Sequence, residues 1–332
     1  MRLLHLVGAT TTQFYHDLSA TYHAATLTPA GMRADVLRVT PEGKLFLRKA
    51  DQEAEAPCGL DAVVALCDTV DLVVPFMFCP PGMTVWRDFF ETMLGVPVIG
   101  PSLAANVIST SKWQTKAVAD AAGVRTARAH RLTQGDPLPD WSGPCIVKPD
   151  TEDNSIGLSL VKHPEDLAQA VQTALGHDTT ALIEAFVPGR EVRVGVLELE
   201  ARPQVLPILE YHVSDAHPIR RREDKVDVDS SGAITKRSWD APSLETTCPA
   251  PLDDALREEL SQMALTLHAA LGCRDYALFD FRIHADTGTP YLLEACSFWT
   301  FAPISILSRM VTAAGMDLEE TIARLYTRAA AR

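Results

Sequence analysis

Leu278-Phe-Asp-Phe-Arg-Ile283 and, close behind it, Tyr291-Leu-Leu-Glu-Ala-Cys296 decide how this chain is read. Each run is apolar enough for a buried strand, and each carries one acid, Asp280 or Glu294. Acids inside such strands are costly unless they meet a cation. Two carboxylates opposed across a hairpin suit Mg²⁺, which takes one or two carboxylates and completes its shell with phosphate oxygens and water. The competing reading pairs each acid with an arginine. Side chains alternate along a strand, so Asp280 and Arg282 share a face and that pairing stays open.

Upstream lie two lysines, Lys112 near a helix start and Lys148 in the strand Ile146-Val-Lys-Pro149. Two lysines from separate elements can neutralise a polyphosphate as point charges. Lys112 alone reads as a solvated surface residue. Lys148 does not, because a lysine inside an apolar strand needs an anion or an exit to solvent. The polar loop Asp150-Thr-Glu-Asp-Asn-Ser-Ile-Gly157 follows, a type whose backbone amides can cover phosphates although it is poor in glycine. Next, Ala181-Leu-Ile-Glu-Ala-Phe-Val-Pro-Gly-Arg-Glu191 ends an apolar strand in Glu184, with Glu191 seven residues later. It offers an apolar slot for a base and an acceptor for a ribose, or equally a surface turn with solvated acids.

Around these features the chain alternates short apolar runs and helical patterns. Arg2–Val7, Ala34–Val39 and Asp71–Phe76 read as buried parallel strands, with helices over Phe14–Ala25 and Thr84–Leu94 and a short strand at Pro97–Gly100. A helix over Ser111–Ala122, the strand Cys145–Pro149, a helix over Pro164–Leu175 and the strand Ala181–Val187 make a second unit. Long strands Glu191–Glu200 and Gln204–Tyr211 open a third, then a charged stretch Arg220–Lys236 that reads as a mobile loop, a helix over Leu252–Leu271, the two acid-bearing strands and two closing helices. The expected fold class is mixed α/β and α+β in three lobes: an N-terminal α/β lobe over 1–101, a central lobe over 102–190, and a C-terminal lobe over 191–332 that carries the metal site.

The bulk numbers agree with this. At 332 residues the chain is too long for one simple core, and 47% hydrophobic with 22% charged residues is ordinary for a folded soluble protein. A net charge of −13 argues against a nucleic-acid or anionic-membrane partner, so phosphate must be held by a few local groups. The seven cysteines are odd in number and show no CxxC spacing, which fits free thiols in a reducing cytoplasm. No apolar run suits a signal peptide or a membrane span, so the protein is expected in the cytoplasm.

In this order the features resemble the ATP-grasp superfamily, in particular its D-alanine–D-alanine ligase-like branch, over nearly the whole chain. The resemblance implies ATP and Mg²⁺ as cofactors, with Lys112 and Lys148 as the two ATP lysines and Lys148 also serving catalysis. It implies Glu184, Phe186 and Val187 at the adenine hinge, Glu191 at the ribose, Ser155 on the nucleotide, and Asp280 and Glu294 as the Mg²⁺ carboxylates. Lys225 falls in the loop that brings a lysine to the transferred phosphate. Ser305 falls where the incoming amino acid's carboxylate is held, and Asn154, Arg282 and Cys296 lie on the substrate side. Small-molecule substrates are implied, and a homodimer is left open. Three positions depart from the branch: Cys296 replaces the Asn that is the third metal ligand, Leu278 replaces the oxyanion arginine, and Phe298-Trp-Thr-Phe301 replaces a proline-glycine turn.

A closer likeness covers those departures. His5-Leu-Val-Gly8 with Phe14-Tyr15, Met77-Phe-Cys-Pro-Pro-Gly-Met83, Asp153-Asn-Ser-Ile-Gly157, Gly272-Cys-Arg, Leu278–Ile283 and Phe301-Ala-Pro303 look like the mycosporine-glycine–amine ligases. Such an enzyme phosphorylates a ring carbonyl oxygen, a vinylogous carboxylate, and lets an amino acid displace phosphate to give an imine. The base stays open among Asp17, the loop carboxylates and the phosphate. Two other readings stand beside it: a peptide-type carboxylate–amine ligase, and a nucleotide-binding protein without catalysis, which the paired lysines and paired acids oppose.

Overall fold

The computed structural model describes residues 1–200, 202–214, 216–221, 227–228, 234–236 and 245–332. Its first unit is β1 (Arg2–Gly8), α1 (Gln13–Ala24), β2 (Arg33–Val39), β3 (Leu45–Arg48), β4 (Ala56–Cys58), α2 (Leu60–Cys67) and β5 (Leu72–Pro75), with sheet order β4-β3-β2-β1-β5. β1 runs parallel to both β2 and β5, as expected of buried apolar strands. The β3–β4 extension is less apolar and was not expected; it pairs antiparallel along the β2 edge. The aromatic segment expected as one helix forms two wide helical turns, Gly82–Trp86 and Phe89–Met93. Pro97–Gly100 contributes one parallel bridge, Val98 on Val73, instead of a full strand.

Helices α3 (Leu103–Thr110) and α4 (Lys112–Ala121) follow, and the first of these had no distinct signal. The central unit is β6 (Ala129–Thr133), β7 (Cys145–Pro149), β8 (Ser159–Val161), α5 (Leu167–Leu175) and β9 (Thr180–Ala185), in sheet order β6-β9-β7-β8. Alternation decides its two faces. Cys145, Val147, Ala181 and Ile183 pack on Leu167, Ala170, Val171 and Ala174 of α5, which turns Ile146, Lys148 and Glu184 the other way.

The last sheet holds β10 (Gly189–Leu197), β11 (Gln204–Val205), β12 (Leu209–Tyr211), and later β15 (Thr246–Thr247), β16 (Tyr276–His284) and β17 (Pro290–Cys296), in order β15-β12-β10-β16-β17 with β11 on β10. Within the charged stretch, β13 (Asp227–Val228) pairs with β14 (Ile234–Lys236), two short β-branched runs in a segment expected to be loop throughout. Lys225 lies outside the described residues. Helix α6 (Asp254–Ala270) buries Leu260, Ala264 and Leu267 against the far face of this sheet, on Val192, Val194, Phe279 and Phe281. Helices α7 (Ile306–Ala313) and α8 (Leu318–Ala330) return to the first unit, where Met310, Leu325 and Tyr326 share a core with Leu3, Leu6 and Val73.

Helix α4 gives Ala119 to the core of the last sheet, although it precedes the central lobe's first strand. No described helix is long and apolar enough to cross a membrane.

Candidate active site

A cleft lies between the central sheet and the last sheet, and its walls include Lys112, Lys148, Glu184, Glu191, Asp280 and Glu294. On the central side Lys148 stands opposite Leu182, and Ile146 opposite Glu184. Lys148 and Glu184 are thus diagonal neighbours on one face, within reach of long side chains. The Lys148 ammonium sits 2.5 Å from Glu184 Oε2, and Lys116, from α4, reaches Glu184 Oε1 at 2.8 Å. Burial works against the charged form of Lys148, but Glu184 and Glu294 outweigh it and hold its pKa above the ordinary lysine value. Burial likewise works against the Glu184 carboxylate, and Lys148 and Lys116 outweigh it and hold its pKa low.

Lys112 is placed by a cap. The Ser111 hydroxyl caps α4 by accepting from Gln114 N and itself donates to Asp150 Oδ2 at 2.7 Å, while Asp150 Oδ1 accepts from Trp113 N at 2.8 Å. The Lys112 ammonium then donates to the carbonyls of Asp150 (3.3 Å) and Glu152 (2.5 Å), at the entry of the polar loop. In that loop Asn154 and Ser155 both adopt left-handed backbone, φ 56° and 58°. Such conformations in residues other than glycine cost energy and concentrate at ligand-holding sites. Tyr15, from the first unit, donates to Glu152 Oε2 at 3.1 Å, tying α1 to the loop.

The last sheet supplies the acids. Arg193 of β10 stands opposite Asp280 of β16, and Asp280 stands opposite Glu294 of β17. One row over, Glu191 stands opposite Arg282. A bulge shifts the β16–β17 register between Asp280 and Phe281. Phe281 consequently meets Leu292 on the core face while Glu294, two residues on, meets Asp280 on the cleft face.

Arg282 does not pair with Asp280; it donates to Glu191 Oε2 at 3.1 Å and to the carbonyls of Val187 and Pro218. Asp280 is held instead by Arg193, which forks onto both carboxylate oxygens, and by Arg220, whose Nη2 is 2.9 Å from Oδ2. Arg220 also pairs with Glu191 and lies over the Tyr211 ring at 3.9 Å.

Oxygen and sulfur atoms of Asp280, Glu294 and Cys296 all lie within 4.8 Å of one another. Two carboxylates on one row, with lysines facing them, fit a hard divalent ion that shares its shell with phosphate. The thiol does not fit that ion. Burial, with Glu294 and Asp280 beside it, pushes the Cys296 pKa well above the ordinary thiol value against the pull of Arg193, so the sulfur stays protonated.

Residues 138–327 match the family described as D-ala D-ala ligase C-terminus. A D-alanine–D-alanine ligase of Mycobacterium bovis is 31% identical over 86% of this chain and 74% of its own length. The chain belongs to the D-alanine–D-alanine ligase family. A relative from Geobacter sulfurreducens is 28% identical over 70% of this chain and 69% of its own. Among solved structures, the VanG D-Ala:D-Ser ligase from Enterococcus faecalis superposes with a TM-score of 0.79 at 17% identity, over 99% of both chains. A Bacillus anthracis D-alanine–D-alanine ligase complexed with ATP gives 0.74 at 17% identity, over 100% of this chain and 99% of that one. The fold is the three-lobed ATP-grasp fold, and this ligase is an ATP-dependent enzyme that forms carbon–nitrogen bonds.

Most residues expected at the ligase's site come together. Ser155, Phe186, Val187 and Arg282 line the same cleft as the lysines and acids. Asn154 is buried in the loop beside it. Ser305 is fully buried at the N-cap of α7, and its hydroxyl accepts from Ser308 N at 3.2 Å. Asp17, open as a base, is held by Gln13 at 2.6 Å.

Three cations that hold the cleft's acids had no site role from the sequence. Lys116 follows Lys112 by one helical turn, so the pair of spacings Lys112–Lys116 was the available signal. Arg193 alternates with Glu191 in a strand, which marks it as facing the same way. Arg220 opens the charged stretch and carries no mark in the sequence.

Proposed function

We propose that this ligase uses ATP to phosphorylate a carboxylate-type oxygen of one small molecule and joins that molecule to the amine of a second. The observation that carries the reading is the convergence of Lys112, Lys148, Asp280 and Glu294 on one cleft between two sheets. The nucleotide's base lies in the apolar slot at Phe186 and Val187, its ribose at Glu191, and its phosphates under the loop at Asn154 and Ser155, against Lys112 and Lys148. Asp280 and Glu294 would hold Mg²⁺, which when bound would offset the charge of the phosphate oxygens. Lys225 joins this set on the resemblance alone.

In the reaction, the terminal P–O bond to ADP breaks as a bond from phosphorus to the acceptor oxygen forms. The amine lone pair then attacks the adjoining carbon. The C–O bond breaks with its electrons leaving on phosphate, and the nitrogen gives up a proton. Lys148 offsets charge on the transferred group throughout, and stays protonated for it through Glu184 and Glu294.

A second, finer reading makes the acceptor a cyclohexenone drawn as its vinylogous acid, as in mycosporine-glycine, with an imine as product. The observation favouring it is aromatic. Phe298 packs edge-on against Phe78 at 5.3 Å, and the Trp299 ring lies 5.0 Å from the Arg193 guanidinium that holds Asp280. Aromatic groups beside the arginine that holds Asp280 suit a flat conjugated ring better than a small aliphatic amino acid. Leu278 in place of an arginine also suits an acceptor that forms no tetrahedral carboxylate-derived oxyanion.

The test is ADP release with Mg²⁺-ATP and an amino-acid panel, offering D-alanine or mycosporine-glycine as acceptor, with products weighed by mass spectrometry. Amine-dependent ADP release is expected, with a larger rate on the ring acceptor under the second reading. ADP release indifferent to every amine would remove the ligase reading, and turnover of D-alanine alone would remove the cyclohexenone.

A further inference from the structure

The cleft's most heavily engaged acid points to a residue with no role so far. Asp280 accepts a two-pronged fork from Arg193, with Nη2 on Oδ2 at 2.5 Å and Nε on Oδ1. The same Nη2 lies 3.8 Å from Cys296 Sγ. Arg193 is 5% exposed and stands in β10, which is paired on both sides by β12 and β16. Its guanidinium is walled by the rings of Trp299 at 5.0 Å and Tyr211 at 5.7 Å. A planar fork so enclosed has little freedom to leave its carboxylate. Arg220, a second cation on Asp280 among the described residues, differs: it comes from the segment after β12 and divides its bonds between Asp280 and Glu191.

We propose that Arg193 is a built-in second cation of the centre, so that the Asp280–Glu294–Cys296 cluster takes one divalent ion per bound nucleotide. This rests on the nucleotide and Mg²⁺ reading of the cleft. The electrostatics follow from the fork. Arg193 cancels one of the two carboxylate charges, and a single divalent ion beside Glu294 then leaves the centre net positive toward phosphate. A second ion would meet the enclosed guanidinium where it needs an oxygen ligand, with only a sulfur, a poor ligand for a hard cation, on the other side. Arg193 thus performs by position what a second metal performs by coordination, and it sets the orientation of Asp280.

The experiment counts metal. The full-length chain is titrated with Mn²⁺ in the presence of saturating adenylyl imidodiphosphate, and unbound Mn²⁺ is read by electron paramagnetic resonance. One bound ion per chain is expected in the unaltered protein. One is also expected in Cys296→Asn, which offers a hard oxygen beside an intact Arg193. Two are expected when Arg193→Met is added to Cys296→Asn. Two ions in the unaltered protein would overturn the proposal. Two in Cys296→Asn would overturn it as well, by making the thiol and not the arginine the excluding group. One ion in the double variant would do the same. No nucleotide-dependent ion in any of the three would overturn the metal reading together with the proposal. If the double variant fails to fold, the first two counts decide.

Discussion

Glu184 stands between Lys116 and Lys148, and the consequences of removing each member differ. Lys148→Met leaves Glu184 its Lys116 partner, so stability should hold within about 1–2 kcal/mol while ADP release is abolished. Glu184→Leu strands two buried ammonium groups and should cost about 3–5 kcal/mol. Urea unfolding of both variants beside an ADP assay checks this; equal stability losses would mean the three charges do not act as one cluster. The same residues show what sequence can and cannot reveal at this scale. Lys148 was legible because an ammonium in the apolar run Cys145–Pro149 demands an anion. Lys116 was not, because a lysine on a helix reads as solvated until the helix is docked. Arg193 was hidden for a related reason. Whether an arginine in a strand faces solvent or a buried acid depends on the partner strand, here β16, which lies far along the chain.

At the scale of elements, alternation and caps carried most of the information. The parallel strands of the first unit, the β7 and β9 faces and the acid-bearing hairpin all follow from period-two patterns. The bulge in β17 did not, since a one-residue shift leaves no composition signal, yet it is what aims Glu294 at Asp280. Helix α3 also escaped, being a short run between breakers. The end of β1 yields a sharp prediction. Gly8 has φ +103°, and a Cβ there would lie 1.9 Å from the Val39 carbonyl oxygen. Gly8→Ala must part β1 from β2 or distort the turn, and should cost more than about 2 kcal/mol. A thermal or urea midpoint matching the unaltered protein would show that this junction is softer than its geometry.

At the scale of the molecule, Asp275 joins the units. It is fully buried, adopts φ 64°, and accepts from Gly100 N at 2.8 Å at the end of the first unit and from Arg332 Nη1 at 2.6 Å after α8. Arg87, also buried, donates to the carbonyls of Val98, Ile99 and Gly100 beside it. Asp275→Asn keeps the shape and tolerates the backbone, but drops the charge facing Arg332 and Arg328, and should lower stability by about 2 kcal/mol in urea. An unchanged midpoint would show the units to be held by their apolar contacts alone. The shared core of α7 and α8 with β1 and β5 was not legible, because contacts between the two ends of a chain leave no local pattern. The order of lysines and acids was legible, and it led to the family. The path of the transferred phosphate can be followed directly with an isotope. The acceptor is labelled with ¹⁸O at its reacting oxygen, turned over with ATP and an amine, and the released phosphate is examined by mass spectrometry. Phosphorylation of the acceptor predicts one ¹⁸O atom in the phosphate for each turnover, whereas unlabelled phosphate alongside the joined product would contradict it.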